Sequence, residues 1–314
     1  MGFTVEVNGK EIFPVIILKN EEEKTSAEVY AFGALLNAFT IQGSKNIIDG
    51  FSSPQDAREN ITSGFKSAKL NPFVCRVLNG EYYLNDEKFK IEKFYLGAEA
   101  IHGLLFDAVF SIVKYTANVH EALVELRYDY KNNDAGFPFN YSCIVEYKLE
   151  KNNSLTLATS VKNNSGTEMP VCDGWHPYFN LHTSIDNLMV EINSNKILEF
   201  NERLVPTGKV LTYEKFQGSE VFADTVLDNC FLLNENSKPA CVLKNVQSGL
   251  QLTIQSDKSY PYLQLYTPEH RNSIAIENLS APPDAFNNKT GLTILKPNQS
   301  ASFKTTYKAS ISIN

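Results

Sequence analysis

Hydrophobic and polar residues alternate along much of the chain with a period of two. Successive side chains of a β-strand point to opposite faces, so this pattern predicts strands with one buried face. The alternation is clear over 124–130, over 250–254 and over the C-terminal positions 303–313. In the first of these runs, the apolar positions are Val124, Leu126, Tyr128 and Tyr130.

A β-hairpin is predicted over 145–161. Alternation runs over 145–149 and resumes over 155–161, and the Lys-Asn-Asn-Ser sequence at 151–154 between them is typical of a turn. Helical patterns are sparse. Ser53 and Pro54 predict one short helix, because serine caps a helix N-terminus and proline fits the first helical position.

The fold class that follows is all-β: a large antiparallel β-sandwich with few short helices. A sheet of this many strands must curl or split to bury its faces. We expect one domain over 1–314, because the chain shows no low-complexity linker and no internal repeat. A chain of 314 residues buries most of its unfolded surface and needs no disulfide or metal to fold.

The charge balance narrows the class of partners. The chain has 29 Lys and Arg against 36 Asp and Glu, a formal net charge of −7. This disfavours nucleic acid, whose binding relies on basic residues, and it favours a neutral substrate over a phosphorylated one. No stretch reaches the ~18 apolar residues of a membrane span. We therefore expect no nucleic-acid partner and no membrane insertion.

Cysteine usage predicts buried free thiols in a reducing compartment. The spacing is wide, the count is odd and no CxxC motif occurs, which disfavours both a disulfide framework and a zinc site. The N-terminal segment lacks the basic and apolar regions of a signal peptide. We expect a cytoplasmic protein, and a periplasmic location stays open if a signal peptide precedes this sequence. The cysteines are Cys75, Cys143, Cys172, Cys230 and Cys241.

His176 has the most suggestive surroundings of the five histidines. Histidine is the side chain best placed to exchange protons near neutral pH. Pro177 favours an extended backbone at the preceding residue. We expect the nearby Trp175, Tyr178 and Phe179 to surround the imidazole with flat apolar surface that suits the C–H faces of a sugar ring. A structural histidine beside core aromatics is the alternative.

Two acidic residues adjoin apolar runs. Glu277 follows the apolar residues 274–276, which predicts a carboxylate at a strand end above the Pro-Pro pair at 282–283. An ordinary exposed glutamate is the alternative. Asp228 either forms a turn or binds sugar hydroxyls.

The remaining candidates are basic. His102 precedes Gly103, which allows close backbone approach. Arg76 lies among apolar residues, and a buried arginine needs a partner, so a structural ion pair is its alternative role. Three histidines lie in polar stretches and are predicted to be solvent-exposed: His120, His182 and His270. No HExxH motif, Walker loop, GxGxxG or GxSxG is present, so neither a metal nor a nucleotide cofactor is predicted.

Taken in order, these segments resemble the aldose 1-epimerase (galactose mutarotase-like) family over most of the chain. The combination of His-Pro-Tyr-Phe-Asn-Leu at 176–181 with a downstream Glu block at 274–287 is specific. The other matching segments lie at 32–51, 65–85, 100–110, 204–210, 227–231 and 261–267. The resemblance implies a many-stranded β-supersandwich that needs no cofactor.

The resemblance also implies an activity and residue roles. The enzyme would interconvert the α and β anomers of a free hexose such as glucose or galactose. His176 would be the general acid and Glu277 the general base. The sugar-binding residues would be Arg76, His102, Asp228 and Gln264. The mechanism needs Glu277 ionised and His176 protonated, and ordinary pKa values of ~4.3 and ~6.5 leave a window for that state.

Two departures from the family pattern bear on sugar preference. Cys75 replaces the usual Asn before the Arg, and Gly-Leu rather than Gly-Gly follows His102. Three other functions stay open: a phosphosugar 1-epimerase, a non-catalytic carbohydrate-binding protein of the same fold, and a structural or interaction protein. The expected partner is a free aldose, and the expected assembly is a monomer or weak homodimer.

Overall fold

The computed structural model describes residues 2–8, 12–43, 45–235 and 238–312, so Ile313 of the predicted C-terminal run lies outside the described residues. The N-terminal part contains the strands β1 (Phe3–Asn8), β2 (Val15–Asn20), β3 (Thr25–Tyr30), β4 (Leu36–Ile41) and β5 (Lys45–Asn46). They form a five-stranded antiparallel sheet in the order β1-β2-β3-β4-β5.

The predicted short helix follows this sheet as α1 (Pro54–Asn60). The Ser53 side chain caps it by accepting a hydrogen bond from the Asp56 backbone N–H at 3.1 Å, which confirms the prediction. No helix within the described ranges is long and apolar enough to cross a membrane.

Short elements come next. They are β6 (Ala68–Leu70), β7 (Arg76–Val77), a 3-10 turn at Leu78–Gly80, β8 (Glu81–Leu84), β9 (Glu87–Lys90), β10 (Tyr95–Leu96) and β11 (Glu99–Ile101). Strands β7, β10 and β11 form a three-stranded sheet in the order β10-β11-β7, whereas β8 and β9 pair as a hairpin.

The rest of the chain supplies most of the strands. They are β12 (Ser111–Ala117), β13 (Glu121–Lys131), β14 (Asn140–Glu150), β15 (Ser154–Asn163), β16 (Met169–Val171), β17 (Gly174–His176), β18 (Tyr178–Phe179), β19 (Leu188–Ile192) after a 3-10 turn (Ile185–Asn187), β20 (Lys196–Phe200), β21 (Pro206–Thr212), β22 (Glu220–Val221), β23 (Asp228–Leu232), β24 (Cys241–Asn245), β25 (Leu250–Ser256), β26 (Tyr262–Tyr266), β27 (Ile274–Leu279), β28 (Thr293–Leu295) after the helix α2 (Ala285–Asn288), and β29 (Ser300–Ile311).

Two large antiparallel sheets dominate the fold. The nine-stranded sheet has the order β12-β13-β14-β15-β29-β25-β24-β19-β22. The eight-stranded sheet has the order β21-β20-β23-β26-β27-β17-β6, and β18 pairs with β27 beside this path. The all-β prediction is confirmed, and so are the strand over 124–130, the β14–β15 hairpin and the strand over 250–254.

One face of the eight-stranded sheet packs against the nine-stranded sheet. Trp175 on β17 meets Tyr147 with ring centroids 5.9 Å apart, and Phe179 on β18 meets Tyr307 at 5.3 Å. Residues that alternate with these point to the opposite face, because the side-chain period of a strand is two. All five cysteines are buried in the fold and unpaired, as predicted.

Candidate active site

A cavity of about 390 Å³ lies between the free face of the eight-stranded sheet and the small β10-β11-β7 sheet. Its volume is in the range of small-molecule sites. All six residues predicted for the site line it: Arg76, His102, His176, Asp228, Gln264 and Glu277.

His176 and Glu277 face each other across neighbouring strands. The pairs Gly174–Leu279 and Tyr178–Ala275 fix one antiparallel register, and that register sets His176 opposite Glu277. The imidazole Nε2 lies 3.4 Å from the carboxylate Oε1. Both residues are buried, with 5% and 3% of their surface exposed.

The prediction that Glu277 ends its strand is wrong. Strand β27 continues through Asn278 and Leu279, which pair with Leu263 and Tyr262 of β26. The carboxylate reaches the cavity because strand alternation points it to the free face of the sheet.

Two further polar residues extend this face of the sheet. Gln264 is the register partner of Glu277, and its Nε2 donates a hydrogen bond to Asp228 Oδ1 at 2.7 Å. Antiparallel pairing of β23, β26 and β27 therefore brings three side chains that are distant in sequence into one polar row.

The small sheet supplies the opposite wall. Arg76 on β7 pairs with Ile101 on β11, and His102 follows directly with a left-handed φ of 62°. The His102 and His176 imidazole rings contact each other edge to face, with their centroids 4.9 Å apart. Gly103 is required next, because a Cβ there would lie 2.5 Å from the Asn71 carbonyl oxygen.

Arg76 is half-buried and lines the cavity. Its guanidinium makes no hydrogen bond and no close ion pair with any residue that the structure describes, so the alternative of a structural ion pair is wrong. Burial raises the pKa of the Asp228 and Glu277 carboxyl groups, and the nearby Arg76 charge offsets part of that rise in each. The three remaining histidines, His120, His182 and His270, are exposed as predicted.

The aromatic surroundings of His176 differ from the prediction. The Tyr178 ring stacks on the His176 imidazole, with the ring centroids 5.1 Å apart, and it lines the cavity. Trp175 and Phe179 instead point into the core, because they alternate with the residues that face the cavity. Sequence reasoning missed the apolar wall, which three separate segments contribute without a shared motif: Phe65, Phe94, Leu96, Phe200 and Leu204.

Burial sets the protonation of the facing pair. Desolvation lowers the pKa of His176 to about 4. Desolvation also raises the pKa of Glu277 well above its usual range; the nearby Asp228 raises it further, and Arg76 opposes both effects. The window expected from ordinary pKa values is therefore wrong, because the buried pair favours a neutral imidazole beside a protonated carboxyl.

Several buried polar atoms at the cavity lack a hydrogen-bond partner within the described structure. They are His102 Nδ1, His176 Nδ1, Gln264 Oε1 and Glu277 Oε2. Buried polar groups are normally paired, so four such atoms on residues that line one cavity suit a ligand rich in hydroxyl groups. Across the four described ranges, no group of three or more His, Cys, Asp or Glu residues could hold a metal ion.

The fold is that of galactose mutarotase-like proteins. A galactose mutarotase-like protein from Clostridium acetobutylicum superimposes with a TM-score of 0.87 at 20% identity, covering 99% of this chain and 98% of that one. Galactose 1-epimerase from Lactobacillus acidophilus superimposes with a TM-score of 0.84 at 20% identity, covering 100% of both chains.

Sequence comparison gives the family. The family model for aldose 1-epimerase matches residues 14–308, so the chain belongs to the aldose 1-epimerase family. An uncharacterized Escherichia coli protein, YihR, is 26% identical over 86% of this chain and 85% of its own. An aldose 1-epimerase from Streptococcus thermophilus is 25% identical over 72% of this chain and 70% of its own.

Proposed function

We propose that this chain interconverts the α and β anomers of a free aldose, with His176 as general acid and Glu277 as general base. The observation that carries the proposal is the 3.4 Å separation of imidazole Nε2 and carboxylate Oε1 on the floor of one cavity. The anomeric hydroxyl and the ring oxygen of a sugar are bonded to the same carbon. An acid and a base that act on both oxygens must therefore lie close together.

The chemistry balances without a redox step or a covalent intermediate. The Glu277 carboxylate takes the proton of the anomeric hydroxyl, and C1 becomes an aldehyde carbon. The C1–O5 bond breaks with its electron pair on O5, which takes a proton from His176. Rotation about C1–C2 presents the other carbonyl face, and reclosure reverses both proton transfers. Positioned acid–base groups typically supply ~10²–10⁴-fold each, which is enough for a reaction that already proceeds in water.

The cavity's other polar groups suit the rest of the sugar. Asp228 and Gln264 form one hydrogen-bonded pair beside Glu277, and His102 and Arg76 stand on the opposite wall. We assign these four residues to sugar hydroxyls. The apolar wall and Tyr178 would meet the C–H faces of the ring.

Polarimetry on freshly dissolved α-glucose and α-galactose tests the proposal. We expect the protein to accelerate the approach to anomeric equilibrium, and Glu277→Gln and His176→Asn each to lose ~10²–10⁴-fold in rate. His182→Asn is the matched control, because His182 is exposed and lies outside the cavity. Retention of most of the rate in either site variant would refute that residue's role.

The same assay separates the alternative functions. A phosphosugar epimerase needs several cations around the phosphate. Arg76 is the sole Lys or Arg among the described residues that line the cavity, so we expect glucose to react faster than glucose 6-phosphate. Sugar binding without faster mutarotation would instead indicate a carbohydrate-binding protein.

A further inference from the structure

A buried carboxylate three residues before His176 takes no part in the chemistry above. Asp173 is fully buried, immediately before strand β17. Its carboxylate accepts hydrogen bonds from Lys69 Nζ at 2.5 Å, Tyr260 Oη at 2.6 Å and Asn71 Nδ2 at 3.0 Å. Three side-chain donors fix the position of this carboxylate.

The backbone of Asp173 ties the two strands of the facing pair together. Its N–H donates to Ser280 Oγ at 2.8 Å, and its carbonyl accepts from the Ser280 backbone N–H at 2.9 Å. Asp173 lies three residues before His176, and Ser280 lies three residues after Glu277. The two hydrogen bonds therefore extend the β17–β27 register in which the imidazole meets the carboxylate.

The same cluster reaches the opposite wall of the cavity. The Asn71 carbonyl accepts a hydrogen bond from the Leu104 backbone N–H at 2.7 Å, just beyond His102. On the other side, Lys69 belongs to β6, in which Ala68 is the register partner of His176. The segments that carry His102, His176 and Glu277 are thus all hydrogen-bonded to Asp173 or to the residues that donate to its carboxylate.

We propose that Asp173, clamped by Lys69 and Ser280, is a positioning residue that holds His176 opposite Glu277. This inference rests on the proposed function. Pro177 has no N–H to donate to β27, and a backbone hydrogen bond from the Ile276 N–H to the Pro177 carbonyl at 3.2 Å holds the two strands together on one side of His176 and Glu277. The two hydrogen bonds between Asp173 and Ser280 hold them together on the other side.

Ser280→Ala tests the clamp, because it removes one hydrogen bond and leaves the carboxylate and Lys69 in place. We expect kcat for mutarotation to fall about tenfold while KM stays within about twofold, since misplacing reacting groups acts on the chemical step. Ser280→Thr keeps the hydroxyl and should restore kcat. Ser165→Ala is the matched control, because its Oγ accepts a backbone hydrogen bond of similar length from Asn140, 2.7 Å, away from the cavity.

A second measurement does not depend on activity. NMR titration of the His176 imidazole should show its pKa rising from about 4 toward the ordinary histidine range in Ser280→Ala, because a loosened strand admits water. If wild type accelerates no sugar, the proposed function fails and this titration alone decides the positioning role. A variant with wild-type kcat and an unmoved His176 titration would overturn the inference, even if its stability fell.

Discussion

Lys69→Met should destabilise the fold far more than its location on a short strand suggests. Lys69 and Asp173 are both fully buried, and Nζ lies 2.5 Å from the carboxylate oxygen. The same ammonium lies 4.0 Å from the centroid of the Trp175 ring and 3.3 Å from the Gly174 carbonyl oxygen. Methionine keeps the length of the side chain and removes the charge together with all of these contacts.

The magnitude follows from what the substitution leaves behind. Removing one partner of a buried ion pair costs about 3–5 kcal/mol, because the other charge stays buried. Asn71 and Tyr260 still donate to Asp173, so we expect the lower end, about 3 kcal/mol. With a urea m-value of about 3 kcal/mol/M, the unfolding midpoint should fall by about 1 M.

Urea unfolding followed by tryptophan fluorescence is the suitable assay. Trp175 is the single tryptophan of the chain, and it contacts Lys69 directly. Lys66→Met is the matched control: Lys66 pairs with Asp49 at 2.6 Å, but the two side chains are 29% and 25% exposed. This pair is partly solvated, so we expect its loss to cost close to the ~0–1 kcal/mol of a surface pair. Equal midpoint shifts for the two variants would refute the reasoning about the buried pair.

Three further predictions concern the cavity. Mutarotation should follow a bell-shaped pH profile. Activity should be lost as pH falls through about 4, where His176 and Glu277 both hold a proton, and lost again as pH rises through the raised pKa of Glu277, above which neither does. In urea unfolding, Glu277→Gln should be more stable than wild type at pH 8 and equally stable near pH 4. Wild type loses stability as pH rises because its buried Glu277 carboxyl has a raised pKa, whereas glutamine stays uncharged. A variant less stable than wild type at pH 8 would contradict this. Cys75→Asn should change the ratio of kcat/KM between glucose and galactose, because Cys75 lines the cavity. It should not reduce stability, because asparagine tolerates the φ of 48° at this position better than cysteine does. An unchanged ratio would exclude Cys75 from sugar selection.

Local patterns predicted the strands well because each strand carries its own evidence. Val124 to Tyr130 alternate along a strand whose one face is buried, and Ser53 with Pro54 specify a helix start from two adjacent residues. The same patterns could not give sheet order. The nine-stranded sheet joins β15 to β29 and β29 to β25, and such pairings depend on the packing of the whole chain.

Six residues that line the cavity can be named from the sequence, but their geometry cannot. His176 and Glu277 are 101 positions apart, and only the β17–β27 register sets them opposite each other. The protonation of the pair was mispredicted for the same reason. Ordinary pKa values describe solvated groups. Burial lowers the pKa of His176 and raises the pKa of Glu277, so the carboxyl of this pair has the higher pKa.

That reversal is consistent with the proposed chemistry. The cyclic sugar requires an ionised Glu277 and a protonated His176, and ring opening moves one proton to each side so that both groups become uncharged. Burial favours uncharged groups, so it stabilises the protonation state that accompanies the open-chain aldehyde relative to the one that accompanies either ring. Arg76 opposes this by lowering the pKa of Glu277, which keeps the ionised base accessible. A buried pair balanced by one nearby cation thus favours ring opening while still allowing the next proton abstraction.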